Sequence, residues 1–398
     1  MTLASASGKR FEYLDSARGF AAISVCIWHF LASFFDPLKP GWATSSGWHL
    51  FWYSEGAVVF FFVYSGFVLS YSYTGSQQPL TLSGYISFLT ERLFRIYPLF
   101  LFILAVSYVL KTAVFPLAAW KYTNAHFHLF WSRGHDLNAL FREAILIIPA
   151  GEPANYRLVP QDWTLGVELV VGATVPLFGF LARKNRLACW VAVAAAILIF
   201  HFNAHLIEFA SGIFIFRSWK DIVNQWNKLG SFLKWSAGMV AIIFYSCFFH
   251  FSSLLGDERV FIGRIADRLL VILGAGLLFA ILVSSGFVQR VLSLPLFVKI
   301  GRTCYSIYMT HMLLLICFAD YFMQTLTHWF RLSQTGYLFV AFVIFMIAVL
   351  SFSYLCFRFI ERPFNRLGKK MSRKIETGMI RIKTKYHWVI PPFIYKSI

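Results

Sequence analysis

The sequence predicts an all-α polytopic membrane protein of about ten transmembrane helices, with a re-entrant or interfacial segment and both termini in the cytoplasm. Of 398 residues, 58% are hydrophobic and 14% charged, whereas about a quarter of a soluble domain is charged. The 45 Phe, 18 Tyr and 13 Trp exclude an unfolded chain. Apolar windows recur at the roughly 20 residues needed to cross about 30 Å of hydrocarbon, and the formal charge of +18 is spread unevenly between them.

The windows are 17–35, 56–74, 96–116, 163–182, 187–203, 204–217, 235–252, 269–287, 303–320 and 336–358. The first follows Lys9, Arg10, Glu12 and Asp15 and has no small-residue cleavage site after it, so it reads as a retained helix and not a signal peptide. The second carries Ser65 in VYSGF, which lacks the Gly-x-Ser-x-Gly elbow; small residues there suit close helix packing. The third opens on ERLFRIYP. Residues 139–150, ALFREAILIIPA, are too short and too charged to span and form the re-entrant or interfacial piece. Between the windows at 187–203 and 204–217, His201, His205 and Glu208 stand at i, i+4 and i+7, but without the His-Glu-x-x-His order of zinc hydrolases, so polar capping of helix ends is the preferred reading. His126 and His128 fall in an aromatic-rich external loop, solvated or loosely in contact with a ligand.

Placing the N-terminus inside puts 26 of the 36 Lys and Arg on the cytoplasmic side, with acids divided 6 inside and 12 outside, as positive-inside topology requires. An even number of spans then returns the C-terminus to the cytoplasm. The chain divides into a membrane core, 1–364, and a basic tail, 365–398, where nine bases face the single acid Glu376. Such a tail is attracted to anionic lipid headgroups; nucleic acid is not expected, since no folded module surrounds the run. The six cysteines lie apart in apolar stretches and indicate neither a disulfide framework nor a metal site. Nor does any Walker or dinucleotide loop appear.

Ionisable groups inside spans are costly and usually face a cavity or a partner. Arg18 and His29 are eleven residues apart, almost three helical turns, so they share one face with an axial separation of roughly 16 Å. Arg18 then lies at the cytoplasmic edge and His29 near mid-membrane, which suits a substrate with an anionic head and a reactive end reaching inward: arginine forks onto phosphate, imidazole takes a proton. A snorkelling arginine and a histidine bonded to a neighbouring helix fit the same spacing. Arg92 and Arg95 share a face at the cytoplasmic end of the third span, as a phosphate collar or as ordinary topogenic charge. Asp15, or an acid from another span, is expected to orient the imidazole. Glu168, reached from the outside, either binds hydroxyls of a ligand, partners His311 or pairs with an arginine.

Read in order, LDSARGFAAISVCIWH, VVFFFVYSGFVLS, ERLFRIYPLF, DWTLGVELVVG, LIEFASGIFIF, IGRTCYSIYMTHM and FIERPF resemble the successive signatures of the acyltransferase-3 family of bacterial integral-membrane O-acyltransferases. The resemblance extends from about residue 10 to 364. It implies that Arg18 and His29 are the family's Arg-x10-His pair with His29 essential for transfer, and that Arg92 and Arg95 match the Arg-x-x-Arg element near the coenzyme A side. It further implies that Trp163 and Glu168 belong to the Trp-Ser/Thr-x-x-x-Glu element and that Glu361 is the acid closing the core. The tyrosine element reads Cys304-Tyr305 where the family usually has Ser-Tyr. The esterase-like domain fused to some members is not expected, with 36 residues after Arg362.

What the resemblance implies is transfer of an acyl group, acetyl first, from cytoplasmic acyl-CoA to a hydroxyl of a cell-surface or lipid-linked carbohydrate, with no permanent cofactor, in the bacterial inner membrane. The rival functions are a secondary transporter, which would need midplane ion sites and usually repeat symmetry, and a non-catalytic component of a polysaccharide assembly machine.

Overall fold

The computed structural model describes residues 11–34, 50–74, 81–113, 122–124, 127–131, 137–146, 157–199, 203–246 and 260–386. Among these, all regular structure is helical. In chain order the helices are α1 (Glu12–Phe34), α2 (Ser54–Thr74), α3 (Leu82–Ala113), α4 (Leu137–Ala144), α5 (Trp163–Lys184), α6 (Arg186–Leu198) and α7 (Leu206–Lys228). They continue with α8 (Ser231–Tyr245), α9 (Val260–Ser284), α10 (Gly286–Leu292), α11 (Pro295–Arg302), α12 (Cys304–Trp329), α13 (Gln334–Cys356) and α14 (Arg362–Tyr386).

Each of the ten apolar windows overlies a helix. Seven of the helices are long and apolar enough to cross a membrane: α1, α2, α3, α5, α9, α12 and the continuous α13–α14. Helices α6 and α8 are apolar but shorter, with 13 and 15 residues, and α7 runs through its apolar half to Lys220, Asp221 and Lys228. Of residues 139–150, those to 144 belong to the eight-residue α4 and 147–150 lie outside the described residues; Leu137, Phe141 and Ile145 are exposed at helical spacing, an amphipathic surface segment by pattern.

The core follows from which faces meet. Phe30 of α1, Phe100 of α3, Ile307 of α12 and Phe345 of α13 belong to one buried cluster. A second joins α1, α2 and α9 through Leu14, Val63 and Phe279, and a third joins α2, α5 and α7 through Phe62, Val171 and Phe209. Helix α2 therefore lies in the middle of the bundle, against α1, α5, α7 and α9. A π segment, Phe357–Glu361, carries α13 into α14, so the helix passes position 364 unbroken. Beyond it α14 packs along the N-terminal half of α3, with Gly368 against Phe94 and the Ser87 hydroxyl donating to the Ser372 carbonyl at 3.1 Å.

The crossing of α2 and α7 depends on two glycines. A Cβ on Gly66 would collide with the Phe209 carbonyl, and one on Gly212 with the Val63 carbonyl, so backbone touches backbone, as small residues permit in membrane bundles. Gly212→Val is expected to push the helices apart at a cost of about 1–3 kcal/mol or more. Fluorescence-detected size exclusion should show the folded protein depleted. Gly238→Val, where a Cβ meets nothing within 4 Å, should leave it unchanged.

Candidate functional site

Two cavities open inside the bundle, and they share a wall. The first, about 50 Å³, is lined by Arg18 of α1, Ser65 of α2, Glu168 of α5, and Cys304 and Tyr305 of α12. The second, about 480 Å³, is lined by His29 of α1, Gln161 and Trp163 at the start of α5, His205 at the start of α7, and Arg268 of α9. Val58 and Tyr308 border both. The one-face spacing of Arg18 and His29 thus carries one residue into each cavity. The Tyr308 ring stands between them with its hydroxyl bonded to that of Thr164 at 3.0 Å.

The histidine pair has a defined proton arrangement. His311, fully buried behind His29, donates from Nδ1 to the Tyr308 carbonyl at 2.7 Å. A carbonyl can only accept, so the proton is on Nδ1 and Nε2 carries the lone pair. That Nε2 is 3.2 Å from His29 Nδ1, which itself donates to the Val25 carbonyl at 3.0 Å. The His29 Nδ1 proton is therefore shared between Val25 and His311, and His29 Nε2 is left unprotonated on a side chain that lines the larger cavity. Imidazole held in one tautomer with a free nitrogen toward a cavity is the arrangement of a general base.

Asp15 does not orient this imidazole. It lies fourteen positions from His29 on α1, about 21 Å along the axis, where its backbone packs against Gly301 of α11. The orienting group is His311, which the sequence placed only as a candidate partner of Glu168. Glu168 does not reach His311 either. Its carboxylate is 3.7 Å from the Arg92 guanidinium, and Arg92 also donates to the Glu168 carbonyl. Of the readings open for this acid, pairing to an arginine is the one observed, on the Arg18 side of the partition.

The same contacts correct the expectation for Arg92 as a phosphate contact. Its side chain is buried, lies over the Phe88 ring and fills the space above Gly172, so it ties α3 to α5. Arg95 is the member of the pair left for a ligand, half-buried and within electrostatic reach of Tyr64, Cys304 and Tyr305. Arg18 lies over the Tyr64 ring at 5.0 Å. The small cavity therefore has one cation, Arg18, in its lining, a second, Arg95, within electrostatic reach of its Cys304 and Tyr305, and the Glu168 end of a neutralised pair in its wall. Tyr305 donates to the Ile96 carbonyl at 2.7 Å, and Glu361 accepts from Ser306 at 2.7 Å. Both join α12 to neighbouring helices, and neither lines the larger cavity.

The capping expected of His205 is corrected as well. It occupies the N-cap position of α7 without a side-chain cap bond. Its ring instead faces Phe62 and Trp163, and its Nδ1 is 3.2 Å from Glu208 Oε1. Arg268 Nη2 reaches both groups at 2.9 Å. Glu208 and Arg268 form an ion pair with the carboxylate fully buried, so this cluster belongs to the His29 cavity. Gln161, Tyr308 and Arg268 were missed in the sequence; the legible signal was Arg268, a charge in the apolar run RIADRLLVILG. Among the described residues no group of His, Cys, Asp and Glu could hold a metal, and the five described cysteines are free. His126, His201, Cys247 and the side chain of His128 lie outside the described residues.

The segment that delivers Gln161 and Trp163 is held by Glu143 of α4. Its carboxylate accepts the backbone N–H of Leu158 at 3.1 Å and of Val159 at 2.7 Å. Burial, reinforced by the Asp162 carboxylate, pushes the Glu143 carboxyl up to about 7 from an ordinary 4.5. A carboxyl raised on folding favours the native state fully below its unfolded pKa, and that contribution disappears as pH rises through the folded value. Thermal stability should therefore fall between about pH 5 and pH 8, and Glu143→Gln should flatten that part of the profile.

A family model described as an acyltransferase domain matches residues 11–358, nearly the whole chain. Neither the curated proteins nor the solved structures contain a match to it.

Proposed function

The chain belongs to the acyltransferase-3 family, and from that premise we propose that it transfers an acyl group, acetyl first, from cytoplasmic acyl-CoA to a hydroxyl of a cell-surface or lipid-linked carbohydrate. The coarse statement, an acyltransferase with several helices able to cross a membrane, follows from membership and from the apolar helices. The finer one rests on the free Nε2 of His29, a residue lining a cavity that Tyr308 and Val58 separate from the one lined by Arg18.

In this reading the Arg18 cavity faces the cytoplasm and takes the donor. Arg18 and Arg95 contact the coenzyme A phosphates, and the pantetheine arm passes Tyr308. The acceptor occupies the His29 cavity from the outer side. His29 Nε2 removes the acceptor hydroxyl proton as that oxygen bonds to the thioester carbonyl carbon. The tetrahedral centre collapses with cleavage of the C–S bond, and the imidazolium returns its proton to the departing thiolate, releasing coenzyme A and the ester. His311 stabilises the charged imidazole by accepting from Nδ1. An acyl-histidine relay through the same Nε2 is the covalent variant. The inner membrane is the proposed location, with the exposed bases of α14 toward anionic headgroups.

The test is acyl transfer from labelled acetyl-CoA by membranes containing the protein, with mass spectrometry of surface glycans from a deletion strain. Label in the glycan and loss of one acetyl group per repeat unit on deletion support the reading. Label remaining on coenzyme A with unaltered glycans sinks it in favour of a transporter or a scaffold.

A further inference from the structure

We propose that the His29 cavity seats the acceptor as a neutral hexopyranose, with a sugar face on Trp163 and a sugar hydroxyl donated to Gln161, and that it disfavours sugars bearing a carboxylate. This seat rests on the acyltransferase reading above, to which it adds a location and a charge preference.

Room comes first: about 480 Å³ falls within the range of sites for small ligands, which take roughly 300–1,000 Å³. Next is an unanswered acceptor. Gln161 is 4% exposed, and its Nε2 donates to the carbonyls of Met309 at 2.9 Å and Tyr308 at 3.3 Å. Those bonds set the amide orientation, because the reverse would bring its oxygen against two carbonyl oxygens. Oε1 is left buried without a partner on a residue that lines the cavity. A buried acceptor without a donor is rare and costly, and a ligand hydroxyl satisfies it.

The walls select further. The Trp163 and His205 rings lie 5.6 Å apart, tilted by 35°, forming an aromatic corner that suits the C–H face of a pyranose. Arg268 is the one arginine or lysine among the described lining residues, and its charge is balanced by Glu208, which its Nη2 contacts at 2.9 Å. Glu55 also lines the cavity, and Glu208 Oε2 has no partner. A carboxylate entering here meets two acids, Glu55 and Glu208, against the single arginine, so an acidic sugar is disfavoured by like charge.

Diethyl pyrocarbonate, which modifies neutral imidazole, reads occupancy without requiring turnover. The full-length protein in native-lipid nanodiscs is treated with the reagent in the presence of methyl gluco-, galacto- or mannopyranoside, or of methyl glucuronide, and modification of His29 and His205 is followed by peptide mass spectrometry. At least one neutral glycoside should protect both histidines, and the glucuronide should not. Trp163→Ala should raise the protecting concentration about thirty-fold, as expected for loss of an aromatic anchor, while Trp163→Phe retains most protection and controls for folding. The seat is overturned if no neutral glycoside protects, if the glucuronide protects equally, or if Trp163→Ala leaves protection unaltered. Protection without transfer from labelled acetyl-CoA would overturn the acyltransferase reading and leave a sugar site that is no acceptor seat, whereas transfer without protection overturns the seat alone.

Discussion

Replacing His29 by alanine should lower acyl transfer by roughly 10²–10⁴-fold, the contribution of a positioned general base, while leaving the amount of folded protein and acyl-CoA binding close to wild type. The expectation rests on the tautomer: with Nδ1–H shared by Val25 and His311, Nε2 is the only ring nitrogen able to take a proton. His311→Ala should have a smaller effect, because the Val25 carbonyl still holds the ring, and should displace the pH–rate profile, since the group that stabilises imidazolium is gone. Asp15→Asn should leave that profile unmoved, its carboxylate being at the other end of α1. Transfer from labelled acetyl-CoA at matched abundance decides the first of these. Undiminished activity of His29→Ala removes the base assignment altogether.

The second large effect is expected at Arg18. Arg18→Ala removes a charge-assisted contact of about 1.5–3 kcal/mol, so the KM for acyl-CoA should rise roughly ten- to a hundred-fold with kcat changed less. Arg18→Lys keeps the charge without the bidentate fork and should fall between. Arg92→Ala should behave differently, since that guanidinium joins α3 to α5 through Glu168; loss of folded protein, and not a selective rise in donor KM, is the expected result. Equal KM effects for Arg18→Ala and Arg92→Ala would contradict the division of labour proposed for the two arginines.

The helical frame was legible because a span announces itself by composition. All ten windows overlie helices, but their ends do not follow the hydropathy. Helix α3 starts at Leu82, well before the apolar window at 96, and α7 continues to Lys228, past 217. Outside the apolar stretch nothing in hydropathy marks a helix, whereas packing of α14 on α3 holds one there. The Arg18–His29 pair was legible for a related reason: both residues are on one helix, where period alone sets their relation.

Partners on other helices were not legible. His311 lies 282 positions from His29, Arg92 76 positions from Glu168, and Arg268 60 positions from Glu208. The sequence considered Glu168 with His311 and His205 with a helix end, and both assignments yielded to contacts between elements. Gln161 gave no signal, since an amide near a Trp is ordinary until its donors are seen to be spent and its oxygen left unpaired.

By itself, then, the sequence determined the membrane class, the helical windows and the shared face of Arg18 and His29, since composition and helical period act within a segment. Which acid meets which base, where the wall between the two cavities stands, and which nitrogen of His29 is free were decided by tertiary structure alone. Hydrogen bonds and ion pairs act over about 3–4 Å, a distance that only the packing of remote helices brings about.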